Sequence, residues 1–198
     1  MLVCLIGDSL FRTLITNFLI CHLHQNVTLT DYTNLDSYEL DANPLVHHTF
    51  HFVWMATNLL SLNVSFHCDM TLISYTFWNL RNGAHKYNCS DYQRLKMEFP
   101  NACFVDPPFT TMAKRYNTLG KYVRCAPREH IIPYFSLLNA RYAFSTCLFD
   151  GTHYNQAVSP QYNRYADKLC NFLCTKSYLR DSFQMLVDLC SMNLGLVA

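Results

Sequence analysis

The chain has 198 residues, 51% of them hydrophobic and 15% charged, with 15 Lys and Arg against 14 Asp and Glu. That length and apolar content suit one domain, residues 1–198, with a sizeable core. A net charge of +1 gives no footprint for a polyanion, so no nucleic-acid partner is expected, and no window is long and apolar enough to span a bilayer.

The first apolar run, residues 2–6, has strand length and ends in Gly7-Asp8-Ser9. Behind it Leu10, Phe11, Leu14, Ile15, Phe18, Leu19 and Leu23 recur at helical spacing and predict a helix over 9–24. Ser9 therefore stands where a strand's carboxyl end meets a helix's amino end, the place where α/β folds carry their chemistry and hold anions on backbone N–H groups. The bland role for a serine there is a helix N-cap. No basic residue precedes the apolar run, and the run stops at Gly7-Asp8. That argues for a strand rather than a secretory leader and leads to the expectation of a cytoplasmic protein.

Residues 28–44 are polar and read as a loop with one short strand. A second strand is expected over 48–54 and a third over 70–75, the latter running into Thr76-Phe77-Trp78-Asn79. Ser90 is placed to cap a short helix through Phe99, and residues 102–106 read as a fourth strand stopped by Pro107-Pro108. Lys114, Arg115, Tyr116, Lys121, Tyr122 and Arg124 form a basic aromatic stretch, read either as a solvated loop or as a lid over an anionic or carbohydrate substrate. A helix is expected over 129–142 with Pro133 in its first turn, and a fifth strand over 145–149. A further helix runs from Ser159-Pro160 to Cys174, and an additional C-terminal helix covers 178–192. Strands alternating with helices predict an α/β three-layer sandwich around a mostly parallel, roughly five-stranded sheet.

The chain has 10 cysteines. Cys4, Cys103 and Cys147 lie in apolar runs and are read as reduced core residues, and Cys170 and Cys174, one turn apart, as a core helix face. Asn26, Asn63 and Asn88 begin N-x-S/T sequons, which have meaning only on secretion. His47, His48 and His51 cluster by a strand without carboxylates or thiols at ligand spacing. No metal and no cofactor are expected.

A serine hydroxyl needs a base, generally a histidine oriented by a carboxylate. Asp150-Gly151-Thr152-His153, directly after the expected fifth strand, supplies both. With Gly7-Asp8-Ser9, this pair of blocks resembles the GDSL/SGNH hydrolase superfamily. The closest likeness is to its PC-esterase branch. Gly7-Asp8-Ser9-Leu10-Phe11-Arg12 resembles the branch's G-D-S-x-x-R start, and Asp150-Gly151-Thr152-His153-Tyr154-Asn155 its D-G-x-H-W-(N/D) finish. Ser74-Tyr75-Thr76-Phe77-Trp78-Asn79-Leu80 resembles its S-x-x-W-D-L segment.

The resemblance implies a flavodoxin-like fold and serine-dependent cleavage or transfer of small O-acyl groups, possibly carried on carbohydrate. It implies Ser9 as nucleophile, His153 as general base and Asp150 as its orienting acid, with Asp8 tying down the turn. Arg12, Trp78 and Asn79 are the candidates for oxyanion or substrate contacts. The superfamily's block-two glycine is absent, and its block-three asparagine aligns with Trp78. Three functions follow: an esterase, an O-acyltransferase on the same site, or an inactive interaction module of the same fold.

Overall fold

The computed structural model describes residues 1–28, 30–31, 34–54, 67–74, 89–106, 130–143, 147 and 172–196. Its centre is β1 (Leu2–Gly7), every inner residue of which is buried. On one side β1 pairs in parallel with β3 (His48–Trp54), so that Leu2 faces Thr49 and Gly7 faces Trp54. On the other it pairs in parallel with β4 (Met70–Ser74), so that Gly7 faces Ser74. The sheet continues through β5 (Ala102–Val105) to a two-residue edge strand, β6 (Ile131–Ile132), both parallel.

The opposite edge is β2 (Ser37–Asn43), antiparallel to β3 with a register shift between Leu40 and Asn43. Among the described residues the sheet has six strands in the order β2-β3-β1-β4-β5-β6, against the roughly five expected. β2 is the one short strand expected within residues 28–44, polar because an edge strand need not be apolar. β6 is two residues inside the span read as helix. Taken alone, the parallel strands follow the order 2-1-3-4-5 of a doubly wound sheet, and its switch point lies between β1 and β4.

Among the described residues there are four helices: α1 (Ser9–Cys21), α2 (Cys89–Glu98), α3 (Tyr134–Tyr142) and α4 (Lys176–Asn193). α1 is buried along most of its length. Thr13 and Thr16 are tolerated there because their hydroxyls donate back to the carbonyls of Ser9 and Arg12 at 2.6 and 2.8 Å. α4 lays Leu179, Phe183, Leu186, Val187 and Cys190 against the same sheet face. Phe183 fixes the packing: its ring lies 5.5 Å from that of Phe18 on α1 and 4.7 Å from that of Phe50 on β3. The other sheet face carries Cys4, Ile6, Ile73 and Phe104, all fully buried, so the sheet is covered on both sides.

α3 begins at Tyr134, not 129, and Pro133 precedes it as the N-cap residue without a side-chain cap bond. The cap comes from elsewhere. Asp106, at the end of β5, accepts from the Phe135 amide at 2.6 Å, from the Ser136 amide at 2.9 Å and from the Ser136 hydroxyl at 2.6 Å. Burial pushes the Asp106 carboxyl above its ordinary range, and these bonds work against that shift. α4 starts at Lys176, where Thr175 Oγ1 accepts from the Tyr178 amide. The expected strand at 145–149, apart from Cys147, and the expected helix at 159–174, apart from a single 3₁₀ turn at 172–174, lie outside the described residues.

The reading of reduced core thiols is corrected. Cys4 is bonded to Cys68, Cys21 to Cys174 and Cys103 to Cys190, with Cα atoms 5.9, 5.2 and 5.7 Å apart. Cys147 is also disulfide-bonded, and among the described residues no cysteine is free. The bridges join β1 to the approach of β4, the end of α1 to the residue before the α4 cap, and β5 to α4. With separations of 64 to 153 residues, each removes roughly 4–5 kcal/mol of denatured-chain entropy in the loop-closure account.

Asp106 caps α3 from a distance, so Asp106→Ala removes the acceptor of two helix amides. A loss of about 2 kcal/mol in urea unfolding is expected, with Asp106→Asn intermediate. An unchanged midpoint for the alanine variant would show that the cap is dispensable.

Candidate active site

The site grows from the turn between β1 and α1. Gly7 is needed there because a Cβ on it would lie 2.7 Å from Phe11 Cδ2 and 3.0 Å from Ser74 Cβ. The strand end, the first helical turn and the end of β4 thus meet closer than any side chain allows. Asp8 follows with extended backbone and caps the helix, its Oδ1 accepting from the Leu10 amide at 3.0 Å. Ser9 is the first helical residue and is 5% exposed. The capping role that would account for a serine at this junction is filled by its neighbour.

Asp8 is 1% exposed. Burial raises its carboxyl from 3.8 to about 7, against the lowering pull of the Leu10 amide, its own amide and the Arg12 guanidinium. Its Oδ2 makes no hydrogen bond among the described residues, and neither does the buried Ser74 Oγ across the sheet. Two buried polar atoms without partners are costly, and both belong to residues at the switch-point edge of the sheet, where such folds bind ligands. The amino end of α1 adds its positive dipole end there.

Arg12 is buried one turn along α1, with 6% exposure. Its guanidinium stacks over Trp54, 3.5 Å from the ring centroid, and approaches Asp36 Oδ1 at 3.6 Å. Asp36 is 80% exposed, so that ion pair contributes little. The Trp54 face is the stronger hold, since a cation–π contact gains when the cation is desolvated. Trp54 ends β3, opposite Gly7. In the sequence it reads only as the end of a strand. Its signal was position: it is the last residue of the strand that flanks β1.

Ser9 and Arg12 are therefore both held at the start of α1, on the carboxyl side of the sheet. Trp78, Asn79, Asp150 and His153 lie outside the described residues, as does the basic aromatic stretch at 114–124. Ser74, the first residue of Ser74-Tyr75-Thr76-Phe77-Trp78, stands opposite Gly7. His51, one of the clustered histidines, lies 3.5 Å from Glu39 Oε2 across the β2–β3 pair. Among the described residues no three metal-ligating side chains converge, and no helix is long and apolar enough to cross a membrane. No family model, curated protein or solved structure matches the chain.

The buried Asp8 carboxyl makes a signed prediction. At pH values well below 3.8 it is protonated in both the folded and unfolded chain. Between its unfolded value of 3.8 and its folded value of about 7, the unfolded chain loses the proton first, so stability falls as pH rises across that window. Asp8→Asn keeps an oxygen acceptor for Leu10 and has no proton to lose. Its thermal midpoint should approach that of wild type at the acid end of the window and exceed it at pH 8. Parallel pH profiles for the two proteins would contradict the assignment.

Proposed function

We propose that the chain is a flavodoxin-like serine hydrolase of the SGNH type, close to its PC-esterase branch, that cleaves small, acetyl-type O-acyl esters, including those carried on carbohydrate. The observation that carries this reading is Ser9 itself. It opens a helix directly after the central strand, beside the switch point, while Asp8 does the capping. Gly7-Asp8-Ser9 and Asp150-Gly151-Thr152-His153 supply the three residue types that acyl transfer needs.

In the proposed reaction the His153 imidazole takes the Ser9 proton as Oγ attacks the acyl carbon, and Asp150 keeps the imidazole in the useful tautomer. The tetrahedral oxygen needs fixed positive charge or donors. Arg12, the Ser9 amide and Asn79 are assigned to it, with Trp78 as a wall of the acyl pocket. The stack on Trp54 suits this role, because a guanidinium already oriented and desolvated needs little reorganisation in the transition state. Collapse expels the alcohol, protonated by His153. Water then releases the acyl group by the same steps in reverse. The reaction so drawn uses no metal or cofactor.

The test is turnover of an activated acetyl ester by variants. Ser9→Ala and His153→Ala should abolish it, while Asp150→Asn retains more. The wild-type kcat/KM should rise through a group titrating near 6 to 7. Arg12→Ala should lower kcat about a hundredfold with little change in KM. A Ser9→Ala protein with wild-type turnover contradicts the proposal, and a rate that rises when sugar acceptors are added makes the enzyme a transferase. A folded wild-type chain inert on all O-acyl esters tried would favour the interaction-module reading.

A further inference from the structure

We infer that this chain matures in an oxidising compartment of the secretory type and that Asn26 carries an N-linked glycan. Two independent observations meet here. The first is the disulfide set, in which Cys4, Cys21, Cys68, Cys103, Cys147, Cys174 and Cys190 are all bonded. The bridges are structural: they tie the central strand, α1 and β5 to distant segments. None has the short C-x-x-C spacing of a redox-active pair. Thiols of this kind stay reduced in a mesophilic cytosol and are oxidised in the secretory lumen. On this inference the cytoplasmic expectation gives way together with the reading of reduced thiols.

The second observation is where the one described sequon lies. α1 ends at Cys21, beneath its bond to Cys174, and His24 takes a left-handed backbone, φ 54°, that turns the chain off the helix. Asn26-Val27-Thr28 follows outside any helix or strand, with Asn26 and Thr28 exposed and Val27 half-buried. Thr28 is then held by Asp31, whose Oδ2 accepts from both its amide and its hydroxyl. An exposed Asn-x-Thr on a surface loop is the acceptor that the secretory pathway modifies. The loop is also a harmless place for a large sugar. α1 runs back from the carboxyl edge of the sheet, so its 13 residues put the start of the loop that carries Asn26 roughly 20 Å from Ser9.

Both covalent steps balance. Each disulfide forms by exchange with a protein disulfide carrier: two cysteine thiols lose two protons and two electrons, and the carrier is reduced to a dithiol. At Asn26 the side-chain amide nitrogen bonds to the anomeric carbon of a lipid-linked oligosaccharyl pyrophosphate. The carbon–oxygen bond to pyrophosphate breaks, the lipid pyrophosphate leaves with the electron pair, and the nitrogen loses one proton. Asn63 and Asn88 lie outside the described residues.

The experiment expresses the full chain behind a cleavable secretory leader in eukaryotic cells and maps its peptides without reduction. Cross-linked peptides Cys4–Cys68, Cys21–Cys174 and Cys103–Cys190 are expected. So is an Asn26 peptide whose acceptor side chain a glycan-removing amidase converts to a carboxylate. Asn26→Gln and Thr28→Ala should each lose one glycan by mass, and Thr28→Ser should keep it. An unmodified Asn26 in secreted wild-type protein overturns the glycan. The same chain made in a reducing cytosol should melt at a clearly lower temperature. An equal midpoint with alkylatable Cys4 and Cys103 overturns the compartment.

Discussion

The carboxyl edge of the sheet depends on one buried carboxylate. Asp8 receives the Leu10 amide, and by doing so it starts α1 immediately after β1 with no intervening loop. That contact requires Gly7 to lie against Phe11 and Ser74, and it sets Ser9 as the first residue of the helix. The cost is a carboxyl shut away from water, its proton affinity raised to about 7. A serine in the same place could have capped the helix without that cost. With Asp8 as the cap, Ser9 is left without a capping role.

The central elements were legible because they obey a single period. Residues 3–6 are buried on both faces, residues 2–6 read as one apolar run, and α1 shows its helical spacing directly. The strands at 48–54, 70–74 and 102–105 were clear for the same reason. The edges were not. β2 has one partner, alternates poorly and carries a register shift. β6 is two residues long, below what any periodicity resolves. The start of α3 was misplaced because its cap is Asp106, 28 residues before Tyr134, and a local reading cannot see a distant cap.

The site divides in the same way. That Ser9 belongs to a strand–helix junction was visible in the sequence, whereas the identity of the cap was not. Asp and Ser are both good caps, and only the hydrogen bond distinguishes them. Arg12 was visible at helical spacing from Ser9, but its seat on Trp54 was not, because the two are 42 residues apart and meet only through the β1–β3 pairing. The cysteines misled for a chemical reason. A buried thiol and a buried half-cystine occupy the same apolar runs, and partners 64 to 153 residues apart leave no local spacing to read.

The central claim is that Ser9 is a nucleophile and not a structural serine, and covalent trapping tests it most directly. The folded chain would be exposed to a fluorophosphonate, digested and mapped by mass spectrometry. The account predicts a single phosphonylated residue, Ser9, with labelling lost in His153→Ala under the same conditions. Labelling of another serine, or none in a protein that hydrolyses esters, would contradict it.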